Sequence, residues 1–432
     1  MKPLLGRLAW NRAYRTVSYL RSTLWVVPLV AILLELVVIR LLHTVDHYVA
    51  WDLTGLDVAG ATTLFEAAIT LTLSFIIFTF GSLLVAIQIA GGQLTPRIIA
   101  TTLLRDRVIK YTVGLNVFTL LFAISGLNRM AGEVNQLVTL FAAILGIACL
   151  ASFLFLIDYA ARLLRPVRIV ALVSDDGMAV IRDVYPLQGA DTPTGAASEI
   201  LDVPARVVNH KGTSQIVLAV DADRLVAAAR RLDGVIEFVP QVGDFVAADE
   251  PLFRLYGGAA AIDDKVLRHA AAFGPERTME QDPMFAFRIL VDIALKALSP
   301  AINDPTTAVL AIDQIHRLLR YVGLRQLHGN SIADAGGKVR VLLRTPDWRD
   351  FVHVACNEIR ACGIGSMQIV RRQRAMLENL MRTLPPERHQ ALRTELEVLD
   401  RQLEDVYKAP EDLALARVAD AQGLGGAAMR HA

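Results

Sequence analysis

The amino-acid sequence predicts a membrane protein: four transmembrane α-helices, then a cytoplasmic α+β region made of a small β-rich, barrel-sandwich-like module and a helical domain. Three observations lead to this fold class. Four long apolar runs fill roughly the first 160 residues, no such run occurs in the remainder, and mean hydropathy reaches +0.42 over 432 residues. Runs of about 20 apolar residues cross a bilayer as helices, because lipid offers the backbone no hydrogen-bond partners.

The transmembrane domain is predicted over residues 1–165, with helices at about 24–42, 64–90, 109–127 and 137–159. Basic residues concentrate in the N-terminal tail, in the second loop and after the fourth run. The first loop carries three aspartates and neither Lys nor Arg. Because basic loops stay on the cytoplasmic side, this alternation predicts four crossings with the N- and C-termini both cytoplasmic.

The second apolar run is long and carries polar residues at regular intervals. Ser74, Gly81 and Gln88 recur every seven residues and therefore share one helical face. This stripe is a candidate lining for an aqueous path in an oligomer. The alternative is helix packing, which is the commoner role of small and hydroxyl residues in membranes.

Further candidate polar positions lie in the first helix and after the second. An intramembrane carboxylate such as Glu35 indicates function unless it is paired or protonated, because charge in lipid is costly. Gln93, Pro96 and Arg97 follow a Gly-Gly pair, where Pro96 suits the first position of a new short helix. That helix start is predicted either to hold an anion or lipid phosphate, or to be a plain turn.

Several classes of function have no support in the sequence. A net charge of +1 gives no global attraction to nucleic acid, and no nucleotide-binding, hydrolase or zinc motif is found. His43 and His47 have one-face helical spacing but lack a matched third ligand. We therefore predict no enzyme activity, no cofactor and no bound metal. The expected partners are the lipid bilayer, other copies of the chain in a homo-oligomer, and a small ion or ligand.

After the fourth helix, residues 166–202 are predicted as a short helix and a linker, with Ser174 and its acidic neighbours capping the helix. Residues 203–258 form the predicted β-rich module. Its strands are predicted at 206–209, 215–220, 235–240 and 252–256, with a helix at 223–232. The Gly-Asp turn that begins at Gly243 gives this module its likeness to barrel-sandwich domains.

Residues 259–408 are predicted as a helical domain, followed by a flexible tail over 409–432. Arg288, Asp292 and Lys296 are spaced by four residues and share one helical face. Pro300 ends that helix, and Asp304 caps the next one. Ser299, Asn303 and Thr306 complete a segment that is either a tight helix–turn–helix corner or a small-ligand site.

Two further helices are predicted at 356–381 and 387–407. Arg371, Arg372 and Arg374 lie close together on the first of them. Such a cluster is usually a solvated face, and it is alternatively a contact for anionic lipid headgroups.

Three segments resemble a bacterial family of predicted integral membrane proteins that share the domain of unknown function 2254. They run from Asp292 to Ala308, from Gln88 to Arg97, and from Gly243 to Val246. The resemblance implies a location in the bacterial inner membrane. It implies no activity and no catalytic residues.

These observations lead to two functional hypotheses. The first is an oligomeric channel- or transporter-like protein with a cytoplasmic regulatory region, whose second helix faces the path. The alternative is a membrane-anchored ligand sensor or protein scaffold without transport. Ion flux in liposomes separates the two hypotheses.

Overall fold

A computed structural model of the chain describes residues 25–49, 55–93, 106–130, 134–163, 165–185, 187, 203–327 and 330–426, together with Trp10, Tyr14, Leu20 and Thr23. The chain divides into two compact units. The helical unit comprises residues 19–92 and 96–169, and the C-terminal unit comprises residues from 170 onwards together with Trp10 and Tyr14.

Four long helices lie among the described residues of the helical unit: α1 Val26–Val49, α2 Val58–Gln93, α3 Arg107–Asn128 and α4 Gln136–Leu163. Each is long and apolar enough to cross a membrane, which confirms the prediction of four candidate spans. Helix α2 begins earlier than predicted. Its 36 residues extend for about 54 Å, well beyond the ~30 Å hydrocarbon core of a bilayer.

Helix α3 is the central helix of this unit. Of its spanning segment 56% is buried, against 17% for α1 and 22% for both α2 and α4. Phe118 and Phe122 of α3 lie in a core with Ala31 and Ile39 of α1. The outer faces of α1, α2 and α4 expose large apolar side chains, as expected of surfaces that contact lipid.

Helix α5 spans Pro166–Val184, so the prediction of a short helix capped by Ser174 is wrong. Ser174 lies inside the helix and is buried. The reason is the spacing of the apolar residues. Ile169, Val173 and Ile181 form a continuous buried face, which outweighs the preference of Ser and Asp for a helix start.

Eight strands lie in the described part of the C-terminal unit: β1 Arg206–Asn209, β2 Gln215–Val220, β3 Gly234–Phe238, β4 Phe245–Val246, β5 Pro251–Gly257, β6 Ala271–Gly274, β7 Ser331–Ala333 and β8 Val339–Leu343. They form a five-stranded sheet in the order β1-β5-β3-β8-β7 and a three-stranded sheet in the order β4-β2-β6. Strand β8 runs parallel to β3, with Val341 opposite Ile236.

The helical and sheet content of this unit confirms the α+β prediction, but a barrel-sandwich module is not confirmed. Two strands of the larger sheet, β7 and β8, come from the predicted helical domain. They are only three and five residues long, so the alternation of apolar and polar residues along each strand is too short to be recognised in a mainly helical sequence. The strands of residues 203–258 are therefore divided between two sheets, each of which takes in strands from beyond residue 258.

Helices complete the unit: α6 Ala222–Arg231, α7 Asp264–His269, α8 Pro283–Ala297, α9 Pro305–Gly323, α10 Trp348–Gly363, α11 Met367–Thr383, α12 His389–Val406 and α13 Pro410–Ala416. The single helix predicted from Cys356 to Met381 is in fact two, α10 and α11. The chain turns so tightly between them that a Cβ atom on Gly363 would lie 2.5 Å from Ile369 Cγ2.

The end of the described chain packs against α11 and does not form the flexible tail predicted from residue 409. Arg371 is fully buried, and its guanidinium donates to the carbonyl oxygens of Val418 at 3.0 Å and Gly425 at 2.9 Å. Asp420 is also buried and accepts from backbone N–H groups of its own loop. The arginines predicted as a solvated or lipid-facing cluster are therefore part of the interior.

Candidate functional site

The buried residues of α3 include a row of polar side chains among apolar ones. Thr112, Asn116 and Thr119 are spaced by four and three residues, so they share one face, and all three are buried. Polar side chains inside a bilayer usually face the interior of a helix bundle, and they mark ion pathways or proton relays. The most buried helix of the unit therefore carries a row of three polar groups over about two turns.

Glu35 faces the same interior from α1. It is only 2% exposed and lies between Ala31 and Ile39, which pack in the core formed with α3. Its position is close to the middle of the 21-residue span Val26–Asp46. The Oε1 atom of Glu35 has no hydrogen-bond partner among the described residues. A carboxyl oxygen is thus buried near mid-span without a protein donor in the described chain.

Asn116 is likewise fully buried, and neither atom of its side-chain amide has a partner within the described ranges. Thr119 differs, because its hydroxyl donates to Leu115 O at 2.9 Å and accepts from the Cys149 thiol at 3.1 Å. Glu35 and Asn116 therefore supply unused oxygen atoms inside the helical unit. Oxygen atoms of this kind bind protons or hard cations.

Two aspartates lie at opposite ends of this interior and serve as helix caps. Asp106 accepts from Ile109 N at 3.1 Å at the start of α3, and from the Tyr159 hydroxyl at 2.5 Å. Asp46 accepts from Leu137 N at 3.1 Å at the start of α4. Their hydrogen bonds are structural, whereas Oε1 of Glu35 and Oδ1 of Asn116 accept no hydrogen bond within the described chain.

The predicted stripe on α2 lies on the opposite side of that helix from its buried face. Ser74, Gly81 and Gln88 are exposed, whereas Phe65 and Phe75 are buried. The Ser74 hydroxyl donates to Thr70 O at 2.8 Å. A Cβ atom on Gly81 would meet nothing within 4 Å. The stripe therefore points away from the described helices of its own chain.

The stripe also extends beyond the helical bundle at one end. Phe75 stacks on Phe153 of α4 with ring centroids 4.2 Å apart, and Tyr159 lies about two turns further along α4 beside Asp106. The same distance along α2 leads from Phe75 to residue 81, so α2 reaches the level of Asp106 near that residue. Gln88 lies about 10 Å beyond that level. The Gln93 side chain, Pro96 and Arg97 lie outside the described part of the chain.

On the predicted charged face of α8, ion pairs join this helix to α10. Arg288 donates to Asp292 Oδ1 at 2.6 Å and to both carboxyl oxygens of Glu358 at 2.6 and 3.0 Å. These hydrogen bonds raise the pKa of Arg288 and lower the pKa of Glu358. Lys296 is exposed and has no ion pair within the described chain. Arg288 and Asp292 are therefore in contact, Lys296 does not join them, and the contacts that Arg288 makes are structural.

The segment from Ser299 to Thr307 forms a closed helix–turn–helix corner. The Ser299 hydroxyl donates to Lys296 O at 2.7 Å, and Asn303 has a φ of 47° with its N–H donating to Ser299 O at 2.8 Å. Asp304 accepts from the backbone and hydroxyl of Thr307 at 3.0 and 2.5 Å. Pro300 and Thr306 are exposed. The geometry of this segment therefore favours a tight helix–turn–helix corner over a small-ligand site.

We expect Asp304→Ala to lower the free energy of unfolding by about 1 kcal/mol, because the N-cap of α9 loses its acceptor. Asp304→Asn should change it by a few tenths of a kcal/mol at most, since asparagine caps equally well. Chemical denaturation of the full chain in detergent micelles measures both. A large loss with asparagine would instead indicate that the negative charge is needed.

The comparisons with known proteins give a family but no activity. A family described as predicted membrane protein (DUF2254) matches residues 21–379. An uncharacterized protein of Mycobacterium bovis and its counterparts in two strains of Mycobacterium tuberculosis are 25% identical over 434 residues. The alignment covers 94% of this chain and 81% of each relative. No solved structure matches the chain.

Proposed function

Because the chain belongs to the DUF2254 family of predicted membrane proteins, and its helical unit buries a carboxyl group near mid-span, we propose a channel- or transporter-like protein that moves protons or a small cation. The proposed location is the bacterial inner membrane, with both termini in the cytoplasm. Glu35 is the proposed binding group, and the C-terminal unit is the proposed regulatory region.

The burial of Glu35 is the observation that supports this proposal best. An ionised carboxyl group at the centre of a bilayer costs at least about 2.5 kcal/mol, so such groups bind a proton or a counter-ion. The Oε1 atom has no protein donor within the described ranges, and it is therefore available to a proton or a cation. An apolar side chain would pack at this position without the cost of burying a carboxyl group.

The polar face of α3 extends the binding site along the membrane normal. Asn116 and Thr112 lie on this face between the level of Thr119 and the capped end at Asp106. Their oxygen atoms can replace water around a cation that leaves Glu35.

Two variants test which helix lines the path. Asn116→Leu keeps the branching and the number of heavy atoms of the side chain but removes the amide, so we expect proton or cation flux in proteoliposomes to fall about tenfold or more. The matched control is the double variant Ser74→Leu, Gln88→Leu on the exposed face of α2, which should leave flux within about twofold. The reverse result would place the path along α2 between copies of the chain.

A membrane-anchored ligand sensor or scaffold is the second candidate function. A cavity of about 440 Å³ in the C-terminal unit favours it, because small-molecule sites have volumes of this order. Absence of flux for the reconstituted wild-type chain, together with saturable ligand binding, would support the sensor and exclude transport under those conditions.

A further inference from the structure

The cavity in the C-terminal unit lies along one face of α9, beside Met178 of α5. Tyr321 and Leu324 contribute apolar surface to its wall. The charged part of the wall consists of Asp313, His316, Arg317 and Arg320. A concave surface with an apolar part and a few converging polar groups is typical of a small-molecule site.

The charges of this wall do not balance. The Asp313 carboxylate accepts from Arg372 Nε of α11 at 2.7 Å, so it is already paired. Arg317 Nη1 donates to Asp175 at 2.8 Å, and Nε and Nη2 of Arg317 make no hydrogen bond within the described chain. Arg320 is exposed and forms neither an ion pair nor a hydrogen bond there. Two guanidinium groups, three residues apart on one helix face, therefore have donors available to an anion.

Arg372 is held in place by the neighbours of this wall. The Nδ1 atom of His316 accepts a hydrogen bond from Arg372 Nη2 at 3.2 Å. The Nε2 atom of the same ring donates to Asn379 Oδ1 at 3.0 Å. Burial and the charge of Arg372 lower the pKa of His316, so the imidazole is neutral near pH 7. The Asp313 carboxylate and the His316 ring thus hold Arg372 behind the cavity before any ligand binds.

We propose that this cavity binds a phosphate group carried by a molecule of up to nucleotide size, with Arg320 and Arg317 contacting the phosphate oxygens. A guanidinium matches phosphate through two parallel hydrogen bonds, and two of them suit a dianion better than a single carboxylate. Met178 and Leu324 contact the organic part of the ligand. The site is independent of the proposed transport function.

Calorimetry on the full chain in zwitterionic detergent micelles tests the site, with pyrophosphate and a nucleoside monophosphate as probes. We expect saturable binding, and Arg320→Gln should weaken it about tenfold or more, because it removes a charge-assisted contact. The matched control is Arg393→Gln, which removes an arginine on α12 that is likewise exposed and lies outside the cavity. Binding in the control should stay within about twofold.

A second arm distinguishes a soluble ligand from a lipid headgroup. The full chain is placed in nanodiscs of phosphatidylcholine alone, or of phosphatidylcholine with phosphatidylglycerol, and the calorimetry is repeated. Competition by phosphatidylglycerol that Arg320→Gln relieves assigns the phosphate to a headgroup. Binding of the monophosphate that is equal in both nanodiscs and sensitive to Arg320→Gln assigns it to a soluble ligand. The proposal is overturned if no probe binds saturably, or if Arg320→Gln and Arg393→Gln have equal effects.

Discussion

Replacing Glu35 with glutamine is expected to reduce proton or cation flux to the background of protein-free vesicles. Glutamine has nearly the shape of glutamate, but it can neither take up and release a proton nor neutralise a cation. The helical unit should fold as before, because a neutral amide is cheaper to bury near mid-span than a carboxylate. A pH-sensitive dye inside proteoliposomes, with the potential set by a potassium gradient and valinomycin, measures the flux.

Two controls make this result specific to Glu35. Glu35→Asp keeps the carboxyl group on a shorter side chain and should retain part of the flux. Glu66→Gln makes the same chemical change at an exposed position on α2, and flux should be unaffected. Wild-type flux in Glu35→Gln would contradict the proposed role and would leave Glu35 as a protonated packing residue.

Local signals in the sequence predicted much of the fold. The apolar runs located α1 to α4 because length and hydropathy suffice to define a span. Strands β1 and β2 have the predicted bounds, since their β-branched residues are bordered by turn residues. Asp304 caps α9, as predicted, because an acceptor before a proline at the first helical position is a strong start signal.

Long-range contacts account for what the sequence did not predict. Strand β8 pairs with β3 across about a hundred residues, and no local pattern specifies a parallel partner at that distance. Thr112, Asn116 and Thr119 were not singled out from the sequence, because their importance depends on α3 being the central helix. Ser74, Gly81 and Gln88 of α2 form a more regular repeat than the polar residues of α3. Helix α2 nevertheless lies at the edge of the unit, and its stripe is exposed.

Arg371→Ala should destabilise the C-terminal unit by about 3 kcal/mol or more, because truncation leaves a cavity and two carbonyl groups without their donor. The arginine is fully buried on α11 and bonds to Val418 and Gly425, so it holds the last described segment against that helix. A solvated arginine, as the sequence predicted, would cost no more than about 0.5 kcal/mol. The two interpretations therefore differ by a measurable amount.

Urea unfolding of the full chain in micelles, followed by tryptophan fluorescence, measures this difference. The control is Arg382→Ala on the same helix, whose side chain is exposed and without an ion pair in the described chain, so its effect should stay within about 0.5 kcal/mol. Arg371→Ala should also expose the peptide bond after Arg417 to trypsin under native conditions, because the segment loses its attachment to α11. Equal stabilities and equal cleavage rates for the two variants would mean that Arg371 is solvated, as the sequence alone predicted.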